Sequence, residues 1–392
     1  MSRPTLLFYC QHSLGLGHLA RSLRVAAALT TGFDVVLLNG GRFPAGTIVP
    51  TGIAVVNLPP LGHDDDYRLV SHDPAVTVDE ARKRRRQLLL DLLASTAPEV
   101  ILVEMYPFGR KKFEFELIPL LDAAAAMKPH RPHIVCSLRD ILVNQRRDQA
   151  AYDERVSRRA NQYFDAVLVH ADPAFARLDE SFAPATPLRV PVSHTGFVAP
   201  EAVAGDVRSR LRRLLVSSGG GMVGEPIVRA AVEAHDQLWS RAGLTTTVVA
   251  GPFLPEPVWE WLRERAAGAP HLEAVRQVSD LCAEMRRSAV SLSQCGYNTT
   301  MDILRARTPA VVVPFSEGTE DEQTRRAERL MSLGFVRSVA AAGLSAERLV
   351  TEVAAAAQSR PPRVSLDLSG AETTARIVAE LAERPHRERA CA

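Results

Sequence analysis

Lysine is nearly missing from this chain: of 47 lysines and arginines, only Lys83, Lys111, Lys112 and Lys128 are lysines. Charge of one sign is missing too, because 45 acidic residues leave a net charge of +2. That balance excludes an overall field drawing the chain to nucleic acid, and no nucleic-acid partner is expected. Cysteine is scarce. The five residues, Cys10, Cys136, Cys282, Cys295 and Cys391, are scattered, odd in number and without CxxC spacing. This excludes a disulfide framework or zinc knuckle and fits a reducing, cytoplasmic setting. Long hydrophobic runs are lacking as well, with no stretch of about 18 apolar residues to span a bilayer. The N-terminus opens on a strand-like run, Thr5–Cys10, without the basic region and apolar core of a signal peptide.

What is present is a globular composition, 46% hydrophobic and 23% charged, over 392 residues. That length favours two domains of about 200 residues each. Short apolar runs alternate with helix-period segments, the pattern of βαβ units. Strands are predicted at Leu6–Cys10, Asp34–Asn39, Val100–Glu104, His133–Cys136 and Ala166–His170, with helices at Leu19–Leu29, Val78–Ser95, Phe113–Ala126 and Arg146–Tyr163. Phe182–Asp206 lacks periodicity and reads as the interdomain connection. A second series follows, with strands at Arg213–Val216, Thr245–Ala250, Ala289–Ser293 and Ala310–Val313. Its helices are expected at Pro226–Trp239, Pro257–Ala267, Thr299–Ala306 and Glu322–Leu333. The expected fold class is α/β, two Rossmann-like doubly wound domains facing a central cleft. The expected domains are 1–195 and 196–392, with the last helix a candidate to pack back on the first.

Four segments carry chemistry. HSLGLGHLARSL, His12–Leu23, follows the first strand. Gly15 and Gly17 allow a tight turn, and His18 follows at the start of a helix whose free amides suit an anion or polar substrate. A plain turn with an incidental histidine is the alternative. VSSGGGMVGEP, Val216–Pro226, places Ser218, Gly219, Gly220 and Gly221 where backbone amides can cradle a diphosphate. It has no Walker lysine, so NTP hydrolysis is not expected, and a merely flexible turn remains open. SLSQCGYNTTMDIL, Ser291–Leu304, offers Gly296, Asn298, Thr299 and Thr300 toward phosphate, and Asp302 toward ribose hydroxyls; ordinary capping explains Asn298 or Thr299 equally well. In VPFSEGTEDEQTRRAERL, Val313–Leu330, Glu322 and Gln323 are suited to sugar hydroxyls, or simply begin a solvated helix.

Other patches have two readings each. The Asp64–Asp66 run in HDDDY reads as an acidic loop, with metal binding the weaker reading. ARKRRRQLLLDLL presents Arg82–Arg86 beside leucines, a solvated surface helix or a peripheral contact with an anionic membrane. Glu104, Arg110, Lys111, Lys112, Arg139 and Asp140 follow strand ends and are candidate acceptor contacts or a structural ion-pair network.

Together, and above all through GLGH and SQCGYNTTMDIL followed by VVVPF, the segments resemble a family. They are similar to GT-B glycosyltransferases of the group that adds N-acetylglucosamine to the lipid-linked peptidoglycan precursor. The resemblance spans Gly15 to about Val350. It implies a UDP-sugar donor, an unknown small-molecule or lipid-linked acceptor, no metal cofactor, and a cytoplasmic protein able to sit at the inner membrane face. Residue by residue, it implies that Gly219, Gly220, Gly221, Gly296, Thr299 and Thr300 face the donor diphosphate. Asp302 would hold the ribose where the family has glutamate, and the backbone at Gln277 and Val278 would read the uracil. Glu322 with Gln323 would meet the sugar, the family's glutamine pair being half kept. His18 would be the base for an inverting single displacement. GLGHLARSL is also similar to hydrolases that release UDP during nonulosonic acid synthesis, so a hydrolase, a nucleotide-sugar 2-epimerase or a non-catalytic sugar-nucleotide sensor stands as the alternative.

Overall fold

The computed structural model describes residues 3–12, 17–43, 47–64, 66, 68–143, 146–202, 210–316, 321–359, 362 and 364–385. Gly15, Asp65 and Cys391, named above, lie outside the described residues. The chain runs β1 (Thr5–Cys10), α1 (Gly17–Leu29), β2 (Asp34–Asn39), β3 (Ile53–Asn57), β4 (Leu61–His63), β5 (Leu69–Ser71), α2 (Val78–Thr96), β6 (Val100–Glu104), α3 (Glu114–Ala126), β7 (His133–Arg139), α4 (Gln149–Tyr163), β8 (Ala166–His170) and β9 (Val192–His194). It continues through β10 (Leu211–Ser217), α5 (Glu225–Ala242), β11 (Thr245–Val249), α6 (Glu256–Ala267), β12 (Leu272–Val275), α7 (Leu281–Arg287), β13 (Ser288–Ser293), α8 (Tyr297–Ala306), β14 (Ala310–Val312), α9 (Glu322–Ser332), β15 (Arg337–Ser338), α10 (Ala346–Ala357) and α11 (Gly370–Ala382).

Two compact units result, Met1–Val198 with Asp367–Ala392, and Ala199–Leu366. The first carries a parallel sheet ordered β3-β2-β1-β6-β7-β8-β9. Its central strands, such as Val100–Glu104, are buried along their whole length, because a parallel sheet is covered on both faces and needs apolar runs in place of alternation. The edge strand β3 is half-exposed, and its short apolar run, Ile53–Val56, is not among the predicted strands. The strand β9 pairs with β8, so the stretch read as an interdomain connection in fact starts as part of the first unit's sheet. The last helix also belongs here. Ala371 and Val378 of α11 pack into the cluster of Leu19, Leu23 and Val25 from α1, and Gly370 N–H donates to Phe197 O at 2.9 Å.

The second unit repeats the plan with a parallel sheet ordered β12-β11-β10-β13-β14-β15. Its core joins Leu214 and Val216 of β10 to Ile227 and Val228 of α5 and to Leu349 and Val353 of α10. Pro in the first turn and Gly243, left-handed at φ 61°, mark the two ends of α5. In each sheet the chain leaves the middle strand in one direction and then crosses to the other. The loops diverging at that switch, after β1 and β6 and after β10 and β13, are where such folds bind ligands.

Candidate functional site

In the first unit the switch point brings His18, on the first turn of α1, to Glu104, the last residue of β6. His18 Nδ1 lies 2.6 Å from Glu104 Oε1. The same oxygen accepts from Arg21 Nη2, one turn further along α1, and Arg110 Nη2 reaches Glu104 Oε2 at 2.8 Å. Glu104 is fully buried, Arg21 is 2% exposed and His18 is 22% exposed. Burial alone would push the Glu104 carboxyl up, but His18, Arg110 and Arg21 outweigh it and hold the group below its ordinary range. Burial lowers His18, opposed by Glu104 and helped by Arg110 and Arg21, and the net direction is down. Two guanidiniums already outnumber the one carboxylate, so a third positive charge is disfavoured and a neutral imidazole is favoured. An ionised carboxylate only accepts, which puts the ring proton on Nδ1 and the lone pair on Nε2.

The backbone is shaped to allow this. Met105 and Arg110 are both left-handed, at φ 66° and 61°, a conformation that costs non-glycine residues energy and here turns the loop after β6 back on Glu104. Beneath the loop after β1, Gln11 Nε2 donates to His12 O and Leu61 O, both at 2.9 Å. Gln11 is held in turn by Arg85, which is fully buried and also binds Glu116, Gly40 O and Pro59 O. Arg85 thereby leaves the basic surface read at Arg82–Arg86: it shares an i, i+4 stripe with the buried Ala81, Leu89 and Leu93 and faces the interior. Arg82 and Arg84 do face outward, paired with Asp79 and Glu80.

Among the remaining first-unit candidates, Arg139 ends β7, the strand beside β6. Gly17 opens α1. The carboxylate of Asp64 accepts from Arg68 N–H at 2.7 Å inside the β4–β5 hairpin, while Arg68 pairs with Asp66 at 3.2 Å. No group of three metal-ligating side chains occurs among the described residues.

In the second unit the loops after β10, β12, β13 and β14 share one end of the parallel sheet, and the predicted donor residues lie in them or in the helices α8 and α9 that follow. Gly219 and Gly221 have φ of 63° and 97°. A Cβ on Gly221 would lie 2.5 Å from Leu254 N and 2.7 Å from Ala250 O, so only glycine fits the approach of the loop after β11. The three glycines do not all present free amides as expected. Gly219 N–H points to Ser217 Oγ at 3.3 Å and Gly221 N–H donates to Ser218 O at 3.1 Å, while Ser218 Oγ bonds Ala250 O. Gln277 and Val278 lie in the loop between β12 and α7.

Helix α8 begins after Gly296 with no side-chain cap, and its first turn holds Tyr297, Asn298 and Thr299. Thr300 departs from expectation. Its N–H already closes the helix onto Gly296 O at 2.9 Å and its hydroxyl lies 3.6 Å from Cys295 Sγ, so it is spent internally. Asp302 is 7% exposed. The side-chain oxygen of Gln323 accepts from Cys295 N–H at 3.0 Å and Phe315 N–H at 3.2 Å, tying two ligand loops together. That leaves the amide nitrogen of Gln323 as its remaining hydrogen-bonding group, with Glu322 beside it at the start of α9. Residues that sequence reasoning missed act the same way: Gln294 Nε2 donates to Val223 O at 3.0 Å, and the buried Arg326 donates to Cys295 O at 2.8 Å.

Comparison with known proteins meets this geometry. Residues 220–375 match the model of the glycosyltransferase family 28 C-terminal domain. The calicheamicin glycosyltransferase CalG4 superposes with a TM-score of 0.59 at 17% identity, covering 97% of this chain and 94% of that one. Acinetobacter baumannii MurG does so with a TM-score of 0.57 at 15% identity, covering 97% and 99%. The fold is GT-B. The GT-B chain is also 28% identical over 202 residues to the UDP-N-acetylglucosamine--N-acetylmuramyl-(pentapeptide) pyrophosphoryl-undecaprenol N-acetylglucosamine transferase of Brucella anthropi. That match covers 50% of this chain, which spans about half, 52%, of the relative's length. No helix among the described residues of the GT-B chain is long and apolar enough to cross a membrane.

Proposed function

We propose that this protein is a glycosyltransferase that moves a sugar from a nucleotide-sugar donor, with UDP the expected nucleotide, to an acceptor hydroxyl by one inverting displacement. The observation that carries the reading is the His18–Glu104 pair at 2.6 Å with its two arginines, which orients a neutral imidazole with Nε2 free to accept a proton. As the acceptor oxygen bonds the anomeric carbon, the bond from that carbon to the diphosphate oxygen breaks and the hydroxyl proton passes to Nε2. The second unit contributes the positive end of the α8 dipole and the glycine loop at Gly220, which favour charge on the leaving diphosphate without a metal. The family 28 match over residues 220–375 and the GT-B fold support this assignment of the donor. The Brucella anthropi relative's name specifies UDP-N-acetylglucosamine and a lipid-linked acceptor, so work at the inner membrane face is part of the proposal.

The test is calorimetric titration with UDP, TDP and UDP-sugars without added metal, followed by UDP release with and without acceptors. Binding of UDP with acceptor-dependent release is expected. Equal release in water alone would replace the transferase with a hydrolase, and absence of nucleotide binding would overturn the proposal.

A further inference from the structure

Arg276 directly follows β12 and precedes Gln277, and it belongs to none of the four ligand motifs. Its Nη2 carries two protons and donates to Pro252 O and Leu254 O, both at 3.0 Å. Its backbone carbonyl accepts Gly251 N–H at 3.0 Å. One residue therefore grips the loop after β11 at three points. The guanidinium stands 5.3 Å from the ring centre of Trp259, which steadies it. Its Nη1 also faces Glu256 at 3.3 Å, but that carboxylate is largely exposed and its pull is screened by water. The two carbonyls are the partners that fix this side chain.

The gripped loop presses on the glycine loop. Phe253 N–H donates to Gly220 O at 2.9 Å. Gly251 is left-handed at φ 81°, and a Cβ on it would lie 2.6 Å from Gly219 O, just as a Cβ on Gly221 would lie 2.5 Å from Leu254 N. Two stretches of backbone thus meet with no room for a side chain between them. The Gly219–Gly220 peptide is not among the cis bonds, and in a trans peptide the N–H points opposite to the carbonyl. With Gly219 O against Gly251, Gly220 N–H is aimed away from the β11 loop. The N–H groups of Gly219 and Gly221 are turned instead to Ser217 Oγ and Ser218 O.

We infer that Arg276 is a positioning residue for the donor diphosphate, acting through the loop after β11 to fix the direction of Gly220 N–H. This rests on the nucleotide-sugar reading above. The effect is separable from base recognition: Val275 stays paired with Val249 of β11 whatever side chain stands at 276, so the backbone leading to Gln277 and Val278 keeps its place.

The full chain and its variants are titrated with UDP by calorimetry and with uridine by ligand-observed NMR, below their unfolding midpoints. Arg276→Met keeps an apolar stem on Trp259 and removes both donors. It should weaken UDP about tenfold or more and leave uridine within about twofold. Arg276→Lys, whose ammonium can donate to the same carbonyls, should recover most of the UDP affinity. Gly251→Ala pushes on Gly219 O from the other side of the contact and should reproduce the selective loss, which keeps the test decisive if Arg276→Met folds poorly. Equal losses of UDP and uridine, no recovery by lysine, or unchanged UDP affinity in both Arg276→Met and Gly251→Ala overturns the inference. A wild type that binds neither ligand, or binds UDP no tighter than uridine, removes the donor reading itself and this inference with it.

Discussion

Glu104 and His18 stand 86 positions apart in the chain and meet at 2.6 Å, because β6 is laid directly beside β1. The contact converts a histidine at a helix start into an oriented, neutral imidazole. The sequence names both residues and leaves Glu104 between an acceptor contact and a structural ion-pair network; the structure shows the ion pairs, with the fully buried carboxylate touching His18, Arg21 and Arg110.

His18→Ala should lower turnover about 100-fold or more, as expected for loss of a general base. UDP affinity should persist, since the proposed nucleotide contacts all lie in the second unit. Paired calorimetry and UDP-release assays check both halves, and unchanged turnover would remove His18 from the mechanism.

Glu104→Gln keeps the shape but places an amide donor or a neutral acceptor against Nδ1, which loosens the tautomer and leaves Arg21 and Arg110 without their anion. Turnover should fall sharply with little change in UDP affinity. In the wild type, His18 is held below its ordinary 6.5, so kcat/KM should fall on the acid side with an apparent pKa under 6.5, as Nε2 takes a proton. Stability follows the same sign. Glu104 is held below its ordinary 4.5, so the unfolded chain binds the proton first. Its contribution is present above that value and is lost as pH falls through the lower native one. Rate profiles and urea midpoints between neutral and acid pH measure these.

Gly221→Ala should strain the glycine loop, since its φ of 97° is unfavourable to alanine and Leu254 N stands 2.5 Å from the added carbon. A cost of about 1–3 kcal/mol is expected, together with weaker UDP binding. Asp302→Ala should weaken UDP by a similar amount, about 1–3 kcal/mol, if its carboxylate accepts the ribose hydroxyls. Unaltered affinity in the Asp302 variant would reject that assignment.

Arg85→Ala strands Glu116 in the core and should destabilise the chain by about 3–5 kcal/mol in urea denaturation. Arg84→Ala, one residue earlier but exposed, should change stability by no more than about 0.5 kcal/mol. Similar losses for both would contradict the buried role of Arg85.

The local elements of the chain are legible because they depend on neighbours in sequence. Apolar runs set Asp34–Asn39, Val100–Glu104 and Ala166–His170 as strands with the observed bounds, and glycine turns marked the ligand loops after β1, β10 and β13. Tertiary structure alone decided the rest. The four-residue apolar run Ile53–Val56 becomes an edge strand only through its pairing with β2, and the Thr300 N–H is taken because a helix closes its own fourth amide. Arg85 turned inward because an apolar stripe, not charge, chose the buried face of α2. Which carboxylate meets which histidine depends on strand order, and strand order is set by long-range packing that no local spacing records.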